Sequence, residues 1–336
     1  MPRPAPRTAG LVVAALAAVS LPWWSGDQYQ LHLATLIAAY WVLITGLNLV
    51  VGFTGQLSIG HVGLLAIGAY TFAILGGRLE WPPYVALLAS GGLGGVCGLL
   101  LGLPSLRLPG FYFAMATMAF AMIVGELVLA QGDLTGGGIG LAVPGFPAPF
   151  DTPDGFYWGL LIVAAIVTWL SWNLARFMWG RALIAIRDNA VAAAAAGVPV
   201  FRAKLYVFVA SGVTAGLAGA LFASLQSYIT PDTFIFELGL FFFVCIIIGG
   251  RGSIVGPLLG TVILTALPEM VAPLAKLGNF FYGLMLLVVV LLVPEGIGRV
   301  AELVLARWRP QPHRSQPITP DLPRLAKAVQ WTRNDR

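Results

Sequence analysis

The sequence predicts an all-α polytopic membrane protein with about ten transmembrane or re-entrant helices and both termini in the cytoplasm. Three observations predict it. The 336-residue chain is 58% hydrophobic and only 10% charged, with a mean hydropathy of +0.87, where soluble domains carry roughly 25% charged residues. Its apolar stretches are continuous rather than alternating, which selects helices over a barrel, because backbone in lipid must satisfy its own hydrogen bonds. And its cations are placed asymmetrically. With the N terminus inside and ten alternating spans, all of the 19 Lys and Arg residues except Arg78 and Lys276 fall on the inner side.

The expected spans are 9 to 22, 31 to 51, 57 to 77, 84 to 103, 111 to 130, 158 to 177, 205 to 225, 238 to 250, 254 to 273 and 280 to 297, the first and eighth being short. Arg3 and Arg7 followed by LVVAALAAVSL look like a signal peptide, but the run ends in PWW without a small-residue cleavage site and is read as an uncleaved span. Asp27, Glu80, Asp133, Asp151, Asp154, Asp232 and Glu237 fall in outer loops. Arg107, Arg176, Arg181, Arg187, Arg202, Lys204 and Arg251 fall in inner ones. The pI near 9.4 therefore follows from topology and anionic inner-leaflet lipid, with no need of nucleic acid. Residues 1–306 form the membrane domain and 307–336 a basic, Pro-rich tail read as disordered.

Within this scaffold, residues 131–157 form a long outer loop rich in Gly and Pro, and residues 178–204 a long inner one. The core of the inner loop, RALIAIRDNAVAAAAAG, reads as one short amphipathic helix closed by Gly197 and Pro199. Small residues share a face at Gly63, Ala66, Ala69 and Ala73, at Gly91, Gly95 and Gly98, and at Gly212, Gly216, Gly219 and Ala223, which suits close helix crossings in lipid.

Two polar interruptions stand out. GFTGQLSIGHVG at 52–63 breaks apolar runs with glycines, a Gln, a Ser and a His, and GGRGSIVGP at 249–257 has similar chemistry in the second half. Two readings of the first are open. It is either a discontinuous helix pair, tolerated in a membrane only where it is buried or lines a cavity, or an ordinary turn at the inner surface with Gln56 and His61 facing headgroups. In the first reading Ser58 caps a helix beginning at Ile59, and the candidate solute-path residues are Asn48, Gly55, Gln56, Ser58, Gly60, His61, Gly63, Gly250, Gly252 and Ser253. Glu126 and Glu269 are the acids within spans, both near outer ends, where snorkelling is the simple account. No catalytic or metal set converges: Lys204, Lys276 and Lys327 each follow Ala, so no Walker A motif exists, and His32, His61 and His313 are scattered. Cys97 and Cys245 read as small core residues.

Five blocks together resemble the permease subunits of ABC importers for branched-chain amino acids, specifically the longer of the two permeases. They are TGQLSIGHVGLLAIGAYTFA at 54–73, PSLRLPGFYFAMATMAFAMIV at 104–124, LTGGGIGL at 134–141, RALIAIRDNAVAAAAAGV at 181–198 and IIGGRGSIVGPLLGTVIL at 247–264. The resemblance covers roughly residues 40–300. It implies a multi-pass subunit of the bacterial inner membrane that pairs with a second permease, two ATPase subunits and a periplasmic or extracellular solute-binding protein. ATP and magnesium would sit on the ATPases, with no cofactor on this chain and no enzymatic activity. It further implies that 181–198 docks the ATPase, with Arg181, Arg187, Asp188, Asn189, Ala193 and Gly197 on matching positions. The chain departs from the pattern at Val191, where an acid is general, at Ala190, and in GGIG of the 134–141 block, which lacks Ser and Asp. The rival reading is an ion-coupled secondary transporter, for which well-placed intramembrane acids are scarce.

Overall fold

A computed structural model describes residues 27–108, 110–271 and Gly283. The expected spans at 9–22 and, apart from Gly283, at 280–297, the tail from 307, Lys276 and the Glu269 side chain lie outside the described residues.

The helices, numbered here in chain order, are α1 (Gln28–Asn48), α2 (His61–Ala73), α3 (Pro83–Ser105), α4 (Phe111–Ala130), the single turn α5 (Gly132–Thr135), α6 (Pro153–Arg176), α7 (Met178–Asp188), α8 (Ala190–Ala195), α9 (Val200–Gln226), α10 (Phe236–Gly249) and α11 (Gly256–Val271). Local chemistry sets several of the starts. The Asp27 carboxylate accepts the Tyr29 N–H at α1, and Thr152 accepts the Gly155 N–H at α6 with Pro153 in the first turn. Among the described residues, six segments are long and apolar enough to cross a membrane: Gln28–Phe53, Pro83–Ser105, Phe111–Ala130, Pro153–Arg176, Val200–Gln226 and Pro231–Gly249.

Two expected spans take a different form. The run at 57–77 contains α2, whose 13 residues rise about 20 Å against a hydrocarbon core of about 30 Å. A wider π turn, Ile74–Arg78, continues it. The short run at 238–250 is lengthened at its start by a 3₁₀ turn at Pro231–Phe234.

α9 is the central element, packed on α1, α2 and α3. Its close approach to α3 is made possible by missing side chains. A Cβ on Gly94 would lie 2.4 Å from the Gly212 carbonyl oxygen, and one on Gly216 would lie 2.2 Å from that of Ser90. The small faces of α3 and α9 therefore do meet, though Ser90 and Gly94 join Gly91, Gly95 and Gly98 in the crossing. Around Tyr40 of α1, the rings of Phe222, Phe241 and Phe242 sit at centroid distances of 5.8, 5.7 and 5.1 Å and tie α1, α9 and α10 together. α4 and α6 lie at the periphery and turn Met122, Ile123, Leu127, Ile162, Ile166 and Leu170 outward.

At one end of the bundle, Leu141 and Ala142 pair antiparallel with Ile229 and Tyr228, fastening the 131–157 loop to the end of α9. Arg78, an exception in the cation pattern, donates there to the Asp133 carbonyl. At the other end lies the 178–204 loop. It is two helices rather than one. Asn189 is extended (φ −158°), and its side-chain oxygen accepts the N–H groups of Val191 and Ala192, both at 3.0 Å, which starts α8 afresh. Gly197 closes α8 at φ +87°, the left-handed terminator expected there.

Candidate functional site

The 52–63 segment is a buried discontinuity rather than a surface turn. Gly52, Phe53, Thr54, Gln56, Ser58, Gly60 and His61 are all buried, and within the stretch only Gly55 is exposed. α1 first widens into a π turn at Leu49–Phe53. The chain then reverses at Gly55 (φ +72°), and α2 begins at His61. A left-handed turn of this kind favours glycine.

The Ser58 cap expected from the sequence does not form. Gly60 holds the N-cap position, and the Ser58 hydroxyl instead lies 2.8 Å from His61 Nδ1. Helix α2 starts two residues later than the cap reading required, so Ser58 faces the ring rather than an end-on N–H group. The opposite ring nitrogen, Nε2, lies 2.7 Å from Ser211 Oγ on α9. A neutral imidazole satisfies both hydroxyls by donating from one nitrogen and accepting at the other. Ser58, His61 and Ser211 are at most 1% exposed. The Thr117 hydroxyl of α4 accepts the Ile59 N–H at 3.3 Å and donates to the Ala114 carbonyl at 2.9 Å. The start of α2 is thus fixed to both α9 and α4. Ser211 and Thr117 were not among the residues singled out from the sequence. The only signal for Ser211 is its position beside Gly212 on the small face of α9.

The second interruption meets the first directly. The Asn48 side chain donates to the Ser253 carbonyl at 2.8 Å and accepts the Gly252 N–H at 3.1 Å, so one amide clamps the 250–253 turn. Gly52 packs against the same turn: a Cβ there would lie 2.4 Å from Gly252 N. Gly250 and Gly252 both adopt positive φ, +99° and +75°.

The 181–198 residues divide by direction. Arg181, Asp188, Val191 and Gly197 are exposed, with Val191 at 80%. Leu183, Ile186 and Ala193 are buried against Leu49, Val50, Phe53 and Phe208, so Ala193 presents nothing outward. Arg187 turns inward at its tip: its Nη1 donates to the Gly52 carbonyl at 2.9 Å. The structure therefore brings together Asn48, Gly52, Arg187, Gly252 and Ser253 at one junction. It places Ser58, Gly60 and His61 in a separate node against α4 and α9. Gly63 packs against Ala121 of α4. A cavity of about 690 Å³ lies elsewhere, between α1, α6 and α11, lined by Trp41, Leu161, Trp169 and Leu258 among others and by no residue of 48–63.

A family profile described as the permease component of the branched-chain amino acid transport system matches residues 29–290. The chain belongs to this family. This permease is 31% identical over 315 residues to the high-affinity branched-chain amino acid transport system permease protein LivM of Salmonella typhimurium, covering 85% of this chain and 74% of that protein. The Escherichia coli LivM gives the same identity and coverage. The fructose import permease protein FrcC of Rhizobium meliloti is 27% identical over 226 residues, covering 62% of this chain and 60% of that one. No solved structure matches the permease. With six crossing-length apolar helices among the described residues, the permease is a multi-pass inner-membrane protein, and its relatives are transport components rather than enzymes.

Proposed function

We propose that this chain is the membrane-spanning subunit of an ATP-binding-cassette importer that moves branched-chain amino acids, or a closely related small solute, into the cell. One observation carries the reading: the family match over 29–290 encloses both helix interruptions and the whole α7–α8 loop. In this reading a second permease completes the translocation path, two ATPases bind ATP and magnesium, and a soluble binding protein delivers solute to the opposite end. The exposed side of α7 and α8, which carries Arg181, Asp188 and Val191, is the surface offered to an ATPase. Apolar Val191 in place of an acid suits a joint held by shape rather than charge.

Ion coupling is disfavoured by a specific feature. All acidic side chains whose surroundings are described, Glu126 included, are exposed rather than turned into the bundle, whereas ion-coupled carriers place carboxylates on an interior path. In proteoliposomes holding the reconstituted complex, uptake is expected to require ATP and loaded binding protein and to survive ionophores. Uptake driven by an ion gradient without ATP would overturn the proposal.

The docking surface gives a sharper prediction. Asp188 has its side chain 67% exposed, and its contact with Arg187 at 3.5 Å is a surface pair worth at most about 1 kcal/mol. Asp188→Lys is therefore expected to leave expression and melting temperature unchanged while lowering uptake about tenfold, the size of a typical coupling energy. Uptake equal to wild type would remove Asp188 from the docking surface.

A further inference from the structure

Arg187 on α7 is 36% exposed at its side chain, with Nε beside Asp188, but the far end of the guanidinium also makes a contact within the permease. The guanidinium reaches from α7 across to the π turn that ends α1 and donates to the Gly52 carbonyl at 2.9 Å. That carbonyl belongs to the π turn Leu49–Phe53, which closes the helical run of α1. One turn earlier on the same element, Asn48 grips the 250–253 turn through both ends of its amide. The guanidinium also lies against this turn, since a Cβ on Gly252 would come within 3.1 Å of Nη1. The Arg187 contact is charge-assisted, which makes it stronger than a hydrogen bond between two neutral groups.

Two further features make the arrangement a rigid link. The α7 residues flanking Arg187 are anchored, Ile186 and Leu183 being buried against Leu49, Val50 and Phe53. The two turns also approach closely at their glycines, with the Asn48 amide beside them: a Cβ on Gly52 would lie 2.1 Å from Asn48 Oδ1 and 2.4 Å from Gly252 N. Through its contacts with the Gly52 carbonyl and against Gly252, Arg187 joins α7 to both turns at one point.

We infer that Arg187 and Asn48 form a relay that transmits movement of α7 to both helix interruptions at once, with Arg187 acting as a positioning residue inside the permease rather than as a contact for the ATPase. The inference rests on the importer reading above. It assigns the Gly52 end of the first interruption and the 250–253 turn of the second to a single moving unit instead of two independent gates.

The test uses the complete complex in proteoliposomes, with Arg251→Cys at an exposed position as the single cysteine in a background lacking Cys97 and Cys245. The rate of labelling by a thiol reagent is compared between nucleotide-free and ATP-trapped states. The unmodified relay is expected to change that rate about fivefold or more, the scale of a conformational coupling. Arg187→Met is expected to reduce the change below twofold with the ATPases still co-purifying. Arg187→Lys, which keeps the charge but not the planar fork, is expected to restore part of it. Asn48→Asp, which replaces the donor to Ser253 with a repelled carboxylate, is expected to abolish the change at 251 with α7 intact. A wild-type response in Arg187→Met and Asn48→Asp would overturn the relay, as would loss of the ATPases from the Arg187→Met complex. Absence of ATP-driven uptake by the unmodified complex would instead overturn the importer reading itself.

Discussion

Gly94→Leu is expected to yield no folded permease, whereas Gly92→Leu, two residues away on the same helix, is expected to be tolerated. At position 94 a Cβ alone would lie 2.4 Å from the Gly212 carbonyl oxygen and 2.9 Å from the Gly216 Cα. Both obstacles are backbone of the central helix α9, which is itself held by α1 and α2. Separating α3 from α9 by the width of a leucine removes the contact on which the bundle is organised, a loss of about 4 kcal/mol or more on the scale of severe core overpacking. At position 92 a Cβ would meet nothing within 4 Å. There the substitution replaces a poor helix former with a good one, a gain of about 0.5–1 kcal/mol. Melting of the detergent-extracted proteins, followed by size-exclusion recovery, reads the difference. Similar profiles for the two variants would show that the α3–α9 crossing does not hold the fold.

His61→Ala is expected to be the next most damaging change, and its effect should appear in stability before it appears in transport. The ring bridges Ser58 and Ser211 and packs edge-on against Phe208 at a centroid distance of 5.6 Å. Removing it leaves two buried hydroxyls without their partner and opens a cavity, together about 3 kcal/mol. A double-mutant cycle with Ser211→Ala is expected to give a coupling energy of about 1 kcal/mol, because the pair shares one hydrogen bond. Additive losses would mean that the ring and the hydroxyl stabilise the helices separately. If 52–63 is also part of the solute path, Gln56→Ala is expected to lower uptake in vesicles while leaving melting near wild type. A Gln56→Ala complex with normal uptake would confine the segment to a structural role.

Much of the membrane character was legible along the chain. Apolar runs are a local property, and among the described residues six of the expected ones, the short 238–250 run included, overlap helices of crossing length. The interruptions at 52–63 and 249–257 were legible because glycine and polar residues stand out against an apolar background. Small-residue faces were legible as a helical period, and those of α3 and α9 do meet. The stop at Gly197 was legible for the same reason of local geometry.

What the periodicity could not carry was pairing at a distance. Ser58 reads as an end cap because Ser is a good cap, but its hydroxyl is taken by a histidine three residues on, whose other nitrogen is held by Ser211, 150 positions away. The inner loop reads as one helix because its alanines favour it, yet Asn189 turns its amide back on the following N–H groups and splits it.

The sequence by itself thus determined that the chain lives in a membrane, where most of its long apolar helices fall, where polar residues interrupt the apolar runs and which family it resembles, because these features are written in neighbouring residues. Only the tertiary structure decided that α9 is the centre and that Arg187 turns inward to Gly52, 135 residues distant. It alone showed that Asn48 spans 205 residues to clasp the second interruption. The physical reason is that a single polar hydrogen bond between distant segments leaves no period in the sequence: it depends on which helix faces brought the two chain breaks together.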